Sequence, residues 1–591
     1  MPGSRMRNIV VGILAVFGGL VILASFAAGV FYFRGKGRIP QKTVIAVDLE
    51  RAVVEYVPDD QVAGFLLRRS MVLRDVVDAL NRAAEDKRVV GLVARVGTSG
   101  MGMAQIQEVR DAVVAFRGKG KPAIAYAETF GEFGPGNGAY YLATAFDNIY
   151  LQPSGSVGLT GLISNTSFVR GTLDKLGIIP RIGRREEYKT LVNRLTEKKY
   201  TDAHREANRG ILASLFGQIV KGIAEARKLS ADEVRSLADR GPLVAGEAVQ
   251  ANLVDGVAYR DEVYEKVRRK TGEDATFLDL GEYFRGAGRI RREGETIALI
   301  YGVGGIRRGK SRYDPVSGRF LLGPDTVTDA FRSATEDKKV RAILFRVDSP
   351  GGSHVASDTI WREIVRARQA GKPVIVSMGN VAGSGGYYIS MAADRIVAQP
   401  GTLTGSIGVF AGKMVTASFW EKFGVTWDEV HTSRNADLWT GTRDYDADQW
   451  KRVQGILDRI YEEFTDKAAK GRNLPVEKVR EAARGRVWTG EDAKALGLVD
   501  ELGGFPAALR LVREAAGIPA EAGIRVKVFP PPVSRWKVRL ADWLAPRQEE
   551  SMESVAGLLE RVQPVTRLAE EMGFSLPPGE LAMPEGEWPR E

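Results

Sequence analysis

The sequence predicts an α/β protein that contains two copies of one domain after an N-terminal membrane-spanning helix. Three observations support this prediction. Residues 9–33 are apolar and carry no charge, and from about Gln41 the chain alternates strand-like and helix-like segments. In addition, one series of short motifs occurs in the same order in both halves of the chain. With 591 residues, the chain is long enough for more than one domain, each with its own core.

Residues 1–40 are predicted to form a membrane anchor. As a helix, residues 9–33 would extend about 37 Å, which is enough to cross a hydrocarbon core of about 30 Å with some tilt. A cleaved signal peptide has a shorter apolar core, but Ser25-Phe26-Ala27 is a passable cleavage site. Basic residues after the run slightly outnumber those before it, so the positive-inside rule does not fix the orientation. Cleavage and topology stay open.

The first copy is predicted to occupy residues 41–287. Its strand-like segments are Val44–Leu49, Val89–Val96 and Ala123–Ala127, and its helix-like segments are Met71–Ala84 and Ala104–Phe116. Alternation of this kind is typical of a sheet that is covered by helices.

The second copy, residues 288–530, is recognised by motifs that recur from the first. Ala84–Val89 returns as Thr335–Val340, Lys121-Pro122 as Lys372-Pro373, Gly136–Tyr141 as Gly383–Tyr388, and Gln152-Pro153 as Gln399-Pro400. The spacing is far too long for a solenoid repeat, so the pattern indicates a duplicated domain. The polar segment Arg285–Glu295 separates the copies.

A C-terminal extension, residues 531–591, has no counterpart in the first half. It follows Pro530 with further prolines, and its apolar residues between 552 and 572 have helical spacing. A docking helix, an interfacial membrane helix and a disordered tail all stay open.

Composition excludes several classes of protein and site. The formal charge of +10 comes from 84 basic and 74 acidic residues that are dispersed, so no nucleic-acid partner is predicted. The absence of cysteine excludes disulfides, a cysteine nucleophile and thiolate metal sites. The three histidines, His204, His354 and His431, are too far apart in sequence to suggest a metal pair. We predict neither a metal nor a cofactor.

The strongest candidate for chemistry is Ser384, which lies in a glycine-rich turn after the apolar run Pro373–Met378. Small neighbours let a substrate backbone approach, and a helix predicted from the serine through Ala393 would place the hydroxyl at its positive end. The first copy has Asn137 at the matching position, and Gly97–Met101 in place of Asp348–Gly352. Only one serine site is therefore expected in each chain.

A serine nucleophile needs a base, and the sequence leaves its identity open. Of the histidines, only His354 is expected near Ser384, whereas His204 and His431 are expected at the surface. Lysine is the alternative base, provided that burial lowers its pKa from about 10.4. Lys189, which follows the strand-like Ile178–Ile182, is a candidate. A charged helix face that includes Glu186 and Lys198 is the simpler interpretation of this stretch.

The chain up to about residue 530 resembles the long, duplicated form of bacterial signal peptide peptidase A, or protease IV. This is a serine protease family, peptidase family S49, related to Clp protease and the crotonases. The resemblance rests on Val347–Gly352, Gly383–Tyr387 and Gly401–Gly408, which together are specific. The family's Lys-Tyr-Lys-Ser stretch corresponds here to Glu187–Thr190, but Asn193-Arg194 replaces the usual acidic residue and proline.

The resemblance implies both a fold and a set of site residues. The fold would be two tandem ClpP/crotonase-like domains, each a stacked β-β-α spiral. Ser384 would be the nucleophile and Lys189 the general base. Ser406 would orient the lysine, and the backbone N–H groups of Gly352 and Gly385 would form the oxyanion hole.

The resemblance also implies a setting for the enzyme. The protein would be a single-pass protein of the bacterial inner membrane, held in lipid by its N-terminal helix, with its catalytic domains on the periplasmic side. It would form a homotetramer and hydrolyse peptides such as cleaved signal peptides through an acyl-enzyme. A groove lined by residues such as Val381, Val409 and Phe410 would suit apolar substrates.

Two alternatives to a peptidase stay open at this point. A crotonase-type acyl-CoA enzyme would use the same glycines without a serine nucleophile. A membrane scaffold would bind protein partners without catalysis. Whether Lys189 and Ser384 meet within one chain or between chains is a further open question.

Overall fold

A computed structural model of the protein describes residues 39–58, 60–98, 100–287, 294–530 and 580–582. The predicted anchor helix at about 9–33 lies outside these ranges, and so does most of the extension 531–591. No helix in the described ranges is long and apolar enough to cross a membrane. The division between the copies at residues 287 and 288 remains a prediction, because residues 288–293 are also outside the described part.

The first half contains strands β1–β11 and helices α1–α11. The strands are Thr43–Asp48, Val53–Val54, Met71–Val72, Val89–Arg95, Ala123–Ala127, Asn148–Leu151, Ser156–Val157, Ile179–Arg184, Leu243–Val244, Gly256–Val257 and Thr276–Asp279. The helices are Gln61–Leu66, Leu73–Glu85, Met103–Arg117, Asn137–Ala143, Arg170–Leu176, Asn193–Thr196, Asp202–Arg227, Ala231–Arg240, Ala245–Gln250, Arg260–Thr271 and Leu280–Ala287.

The second half contains strands β12–β24 and helices α12–α19. The strands are Glu295–Val303, Gly305–Ile306, Arg312–Asp314, Arg319–Leu322, Val340–Ser349, Gly351–Ser353, Val374–Gly383, Arg395–Ala398, Leu403–Gly405, Phe410–Val415, Val487–Thr489, Glu501–Leu502 and Ile524–Phe529. The helices are Pro324–Glu336, His354–Gln369, Gly385–Tyr388, Ala417–Glu421, Ala447–Arg472, Val476–Ala482, Gly490–Ala495 and Phe505–Ala515. The backbone of β25 (Glu580–Ala582) pairs antiparallel with β17.

The first large sheet has the strand order β10-β6-β5-β4-β1-β11, and its neighbouring strands are parallel. Successive residues of β1 face opposite sides of this sheet. Ile45 and Val47 pack in the core that α2 and α3 cover, whereas Val44 packs with Val263 and Val267 of α10. Both faces are therefore apolar, as expected of a parallel sheet between layers of helices.

The second large sheet repeats this order as β23-β19-β18-β16-β12-β24. These strands are parallel, while β22 adds an antiparallel pair on β20. The long helices α7 and α16 also occupy matching places in the two halves. The same strand order in both halves makes the protein a duplicated α/β fold, in agreement with the sequence repeat.

Most of the elements predicted in the first copy are confirmed, but the helix after Ser384 is shorter than expected. The five segments predicted there differ from β1, α2, β4, α3 and β5 by at most two residues at either end. Helix α14, in contrast, ends at Tyr388, and only hydrogen-bonded turns continue to Ala393. The chain must turn there because β19 begins at Arg395 and returns into the sheet.

The two halves are joined by a strand pair and by polar contacts. Strand β8 of the first half pairs antiparallel with β21 of the second, with Arg184 opposite Phe410. Helix α3 also lies against the second half, where the Gly401 N–H donates to Gln107 Oε1 at 2.7 Å. These contacts bring the end of β8 close to the turn that carries Ser384.

Candidate active site

Ser384 occupies a strained turn between β18 and α14. Its φ of 54° and ψ of −115° are unusual for a residue with a side chain, and the strain is sustained by the surrounding structure. The Ser384 N–H donates to Gly405 O at 2.8 Å, which holds the turn against β20. The side chain is fully buried.

Lys189 reaches this serine from the first half of the same chain. It follows β8 and precedes a short 3-10 turn at Thr190–Val192, and it is only 1% exposed. Its Nζ lies 2.8 Å from Ser384 Oγ, 2.9 Å from Ser406 O and 3.0 Å from Ser406 Oγ. The structure therefore brings together the three side chains that the sequence singled out, within one chain.

Burial determines the charge of Lys189. It lowers the pKa of this lysine from 10.5 to about 7, because the ammonium loses its hydration. A neutral amine has two N–H groups and one lone pair. The two acceptors of Ser406 match the N–H groups, which leaves the lone pair for the Ser384 hydroxyl proton. This arrangement can accept a proton from a serine near neutral pH.

Ser406 is held in its own strained turn. Its φ is 51°, and its N–H donates to Arg486 O at 2.7 Å. The residue thus contributes two oxygen atoms to Lys189 from a backbone that is itself anchored to the segment before β22. This geometry fixes the direction in which the lysine side chain extends.

Gly352 and Gly385 approach each other beside the serine. A Cβ on Gly385 would lie 3.1 Å from Gly352 N, and a Cβ on Gly352 would lie 2.1 Å from Ile306 O. Gly352 also has a φ of 147°, which side chains rarely adopt. Both positions therefore need glycine for close backbone approach.

The positions of the histidines do not suggest a base for Ser384. The His354 ring packs edge-on against Tyr388, with centroids 5.6 Å apart, and it makes no hydrogen bond to Ser384. The prediction that His204 is a surface residue is wrong: it is fully buried in α7, where its ring packs against Tyr200. The rings of Tyr200 and Phe168 pack against His204, and the polar local sequence does not reveal these contacts. His431 is partly exposed beside Glu429.

In the first copy, the position that matches Ser384 is Asn137, and its side-chain amide is hydrogen-bonded to the backbone. Asn137 is fully buried at the start of α4, and its Nδ2 donates to Gly161 O at 2.9 Å. Its Oδ1 accepts from the N–H groups of Thr160 and Gly161, each at 3.0 Å. These bonds tie the turn to the following loop, so Asn137 has a structural role in place of a hydroxyl nucleophile.

Sequence reasoning missed the segment from Arg484 to Arg486. The Tyr188 N–H donates to Arg484 O at 3.1 Å, and the Gly485 N–H donates to Ile407 O at 2.9 Å. A Cβ on Gly485 would lie 2.5 Å from Lys189 N. The segment therefore packs between the Ser406 turn and the lysine backbone, and a glycine between two arginines gave no signal of this role.

One group of side chains in the described ranges has the composition of a metal site. Ligand atoms of Glu429, His431 and Asp437 lie within 4.8 Å of one another. The Arg443 guanidinium lies 3.5 Å from Glu429 and 3.6 Å from Asp437, so a cation already faces both carboxylates. This arrangement does not favour a metal.

Comparison with known proteins identifies relatives of the chain. Residues 115–273 and 366–519 match the family model described as peptidase family S49. Protease 4 of Salmonella typhi is 34% identical over 456 residues, which are 75% of this chain and 72% of that protein. Serine protease SPPA, chloroplastic, of Arabidopsis thaliana is 31% identical over 74% of this chain and 65% of its own length. A putative signal peptide peptidase SppA of Enterococcus faecium is 36% identical over 28% of this chain and 49% of its own length.

Proposed function

Since the chain belongs to peptidase family S49 and is a serine peptidase, we propose that Ser384 is its nucleophile and Lys189 its general base. The observation that carries this proposal is the 2.8 Å contact between Lys189 Nζ and Ser384 Oγ. The lowered pKa of the buried lysine supports it, because a base must be unprotonated at the pH at which it works.

The reaction proceeds by acyl transfer to water. Neutral Lys189 takes the hydroxyl proton while Ser384 Oγ attacks the carbonyl carbon of a peptide bond. The resulting oxyanion accepts hydrogen bonds from the N–H groups of Gly352 and Gly385, each worth about 3 kcal/mol in the transition state. Lys189 then gives its proton to the leaving amine. Lys189 next takes a proton from a water molecule, whose oxygen attacks the acyl carbon. The bond from that carbon to Ser384 Oγ breaks, and Lys189 returns the proton to Ser384 Oγ. Ser406 orients the lysine throughout.

The membrane setting and the substrates are part of the same proposal. Each half adopts the ClpP/crotonase-like spiral, the apolar residues 9–33 anchor the enzyme in the bacterial inner membrane, and four copies assemble on the periplasmic side. Substrates are peptides such as cleaved signal peptides. The apolar run of the sequence and the name of the Enterococcus faecium relative support this part. Neither an acyl-CoA enzyme nor a non-catalytic scaffold agrees with membership of a serine peptidase family.

The decisive experiment combines variants with serine labelling. Ser384→Ala should abolish both peptide hydrolysis and labelling by a fluorophosphonate, because the reacting oxygen is absent. Lys189→Met should lower kcat/KM at least about a thousandfold, since the nucleophile loses its base. Lys413→Met is the matched control: Lys413 is also buried and also has a lowered pKa, but its ammonium donates to Leu438 O.

The dependence of kcat/KM on pH gives a second test of Lys189 as the base. In the parent enzyme kcat/KM should rise with pH through about 7 and then level off, because only the neutral form of Lys189 accepts the proton. Near-parental hydrolysis by Ser384→Ala would remove Ser384 from the mechanism. Near-parental hydrolysis by Lys189→Met, or an equal loss in Lys413→Met, would remove Lys189 as its base.

A further inference from the structure

A buried polar network lies directly behind the nucleophile turn. Tyr388 is the last residue of α14, and its N–H donates to Ser384 O at 2.8 Å. Its side chain is fully buried, with the hydroxyl 3.0 Å from Asp358 Oδ1 and 3.2 Å from Glu463 Oε1. The hydroxyl has a single proton, so it donates to one of these carboxylates at a time, and that charge-assisted hydrogen bond connects the helices.

Lys467 completes this network. Its Nζ donates to the Tyr388 hydroxyl oxygen at 2.9 Å, to Glu463 Oε1 at 2.5 Å and to Asp358 Oδ1. The ammonium also lies 4.0 Å from the centre of the Trp361 ring. Burial and the two carboxylates raise the pKa of Tyr388, so its hydroxyl keeps its proton as a donor. Helices α13, α14 and α16 are thereby connected at one point.

Helix α13 carries this connection to the proposed oxyanion hole. It begins at His354, directly after β17, which contains Gly352. Next to Asp358, the Ser357 Oγ would lie 2.8 Å from a Cβ placed on Gly385. Helix α13, whose Asp358 contacts the Tyr388 hydroxyl, thus begins just after Gly352 and packs against Gly385.

The first copy provides an internal comparison. Tyr141 corresponds to Tyr388 there, but the Arg110 guanidinium lies 3.7 Å from the centre of its ring. Arg110 in turn donates to Thr144 Oγ1 at 2.7 Å. Among the described residues, a cluster of two carboxylates and a lysine surrounds the Tyr388 hydroxyl in the copy that has Ser384, and no such cluster surrounds Tyr141 in the copy that has Asn137.

We propose that Tyr388, held by Asp358, Glu463 and Lys467, is a positioning residue that fixes the spacing of the Gly352 and Gly385 amides relative to Ser384 Oγ. The inference rests on the proposed function, in which those amides bind the oxyanion. Donors aimed at an oxyanion act mainly in the transition state, so a shift in their spacing lowers kcat and leaves substrate binding unchanged.

Tyr388→Phe is the direct test, because it removes the hydroxyl and keeps the ring. We expect kcat to fall about tenfold or more while KM changes by less than about twofold. The affinity for a peptide aldehyde, whose adduct carries the oxyanion, should fall by the same factor as kcat/KM. Peptide affinity measured in the Ser384→Ala background should stay the same. Tyr141→Phe, the matched control in the first copy, should leave all of these values unchanged.

A second variant keeps the proposal open to refutation if Tyr388→Phe folds poorly. Glu463→Gln retains the shape and one acceptor oxygen, and it should lower kcat by a smaller factor in the same pattern. Unchanged kcat in folded Tyr388→Phe, or a loss of aldehyde affinity in Tyr141→Phe as well, would overturn the inference.

The failure of this inference can be distinguished from failure of the proposed function. If Ser384→Ala is inactive and folded Tyr388→Phe is fully active, only this inference fails. Hydrolysis by Ser384→Ala would instead remove the proposed function itself.

Discussion

At the scale of single residues, the position of Lys189 determines its chemistry. Its amine has three oxygen neighbours and lies in a buried site where desolvation alone is the cause of its lowered pKa. The folded protein therefore disfavours the charged form, which the unfolded chain prefers below pH 10.5. The burial that lowers the pKa of this lysine therefore also reduces the stability of the fold.

Replacement of this lysine should separate stability from activity. Lys189→Met should raise the free energy of unfolding at and below pH 7 by on the order of a few kcal/mol. Part of this gain is offset, because the variant leaves the Ser406 oxygens without their hydrogen-bond donor. The sign follows from linkage: below pH 7 both folded and unfolded states carry the proton, and the full penalty applies. The gain should shrink as pH rises from about 7 towards 10.5, where the unfolded state also loses its proton. Denaturant unfolding at several pH values measures it, and a difference that does not vary with pH would contradict this account.

The sequence identified Ser384 because the second copy has a hydroxyl and paired glycines where the first has neither. It could not by itself select Lys189, whose pKa depends on burial by residues of the other half. The local sequence around this lysine is polar, which favoured a solvated helix face. Gly485 was missed for the same reason, since its contact with Lys189 joins residues that are far apart in the chain.

At the scale of elements, the segment between α17 and β22 acts as a spacer for Lys189, the proposed base. Gly485 has a φ of 76°, and its open side faces the Lys189 backbone. The neighbouring Arg484 and Arg486 carbonyls accept the N–H groups of Tyr188 and Ser406. Any side chain at position 485 must therefore displace the lysine or the Ser406 turn.

Gly485→Ala should lose most of the activity, because its Cβ would be 2.5 Å from Lys189 N. We expect a fall in kcat/KM of about a hundredfold or more. Gly371→Ala is a matched control, since Gly371 has the same φ of 76° and no atom of the described residues lies within 4 Å of an added Cβ. Both variants carry a similar backbone strain of about 1 kcal/mol, and the close approach to Lys189 N adds a further cost in Gly485→Ala, so thermal unfolding should be lowered more in that variant. Peptide hydrolysis should therefore be compared at a temperature at which both variants are folded. Equal activities in the two variants would rule out a spacing role for this segment.

Periodicity predicted the regular elements well, because each strand of a parallel sheet is apolar on both faces and each helix has one apolar side. The early end of α14 was not predictable in this way. The residues from Ile389 to Ala393 suit a helix, but the chain has to return into the sheet at Arg395. The path that the chain must take back into the sheet therefore outweighs the helix propensity of these residues.

At the scale of the whole molecule, a buried cluster of charges fixes the two halves together. Arg346 of the second half is fully buried and lies 2.8 Å from Glu55 and 2.6 Å from Glu108, both of the first half. Its counterpart in the first copy, Arg95, is 37% exposed and pairs with acidic residues of its own half. The duplicated arginine thus has a different role in each copy.

Arg346→Met should destabilise the protein by about 3–5 kcal/mol, because it leaves two buried carboxylates without a cation. Burial raises the pKa of Glu108, and loss of the arginine should raise it further, so the destabilisation should grow with pH as Glu108 ionises. Arg95→Met should cost less than about 1 kcal/mol, as expected of a half-exposed ion pair. Denaturant unfolding of both variants checks this, and similar losses in the two would contradict the inter-repeat role.

The duplicated architecture could be read from the sequence, since the motifs recur in order and the two sheets share one strand order. The way in which the halves meet could not be read from it. The pairing of β8 with β21 and the partners of Arg346 join segments that no motif relates. Those contacts depend on complementary surfaces, which a linear repeat does not encode.

The placement of Lys189 and Ser384 in opposite copies of one chain has an evolutionary consequence. If these two residues are the base and the nucleophile, as proposed, neither copy carries both groups. A gene shortened to one copy would then encode a protein that could not cut a peptide, so the two copies would have to stay fused.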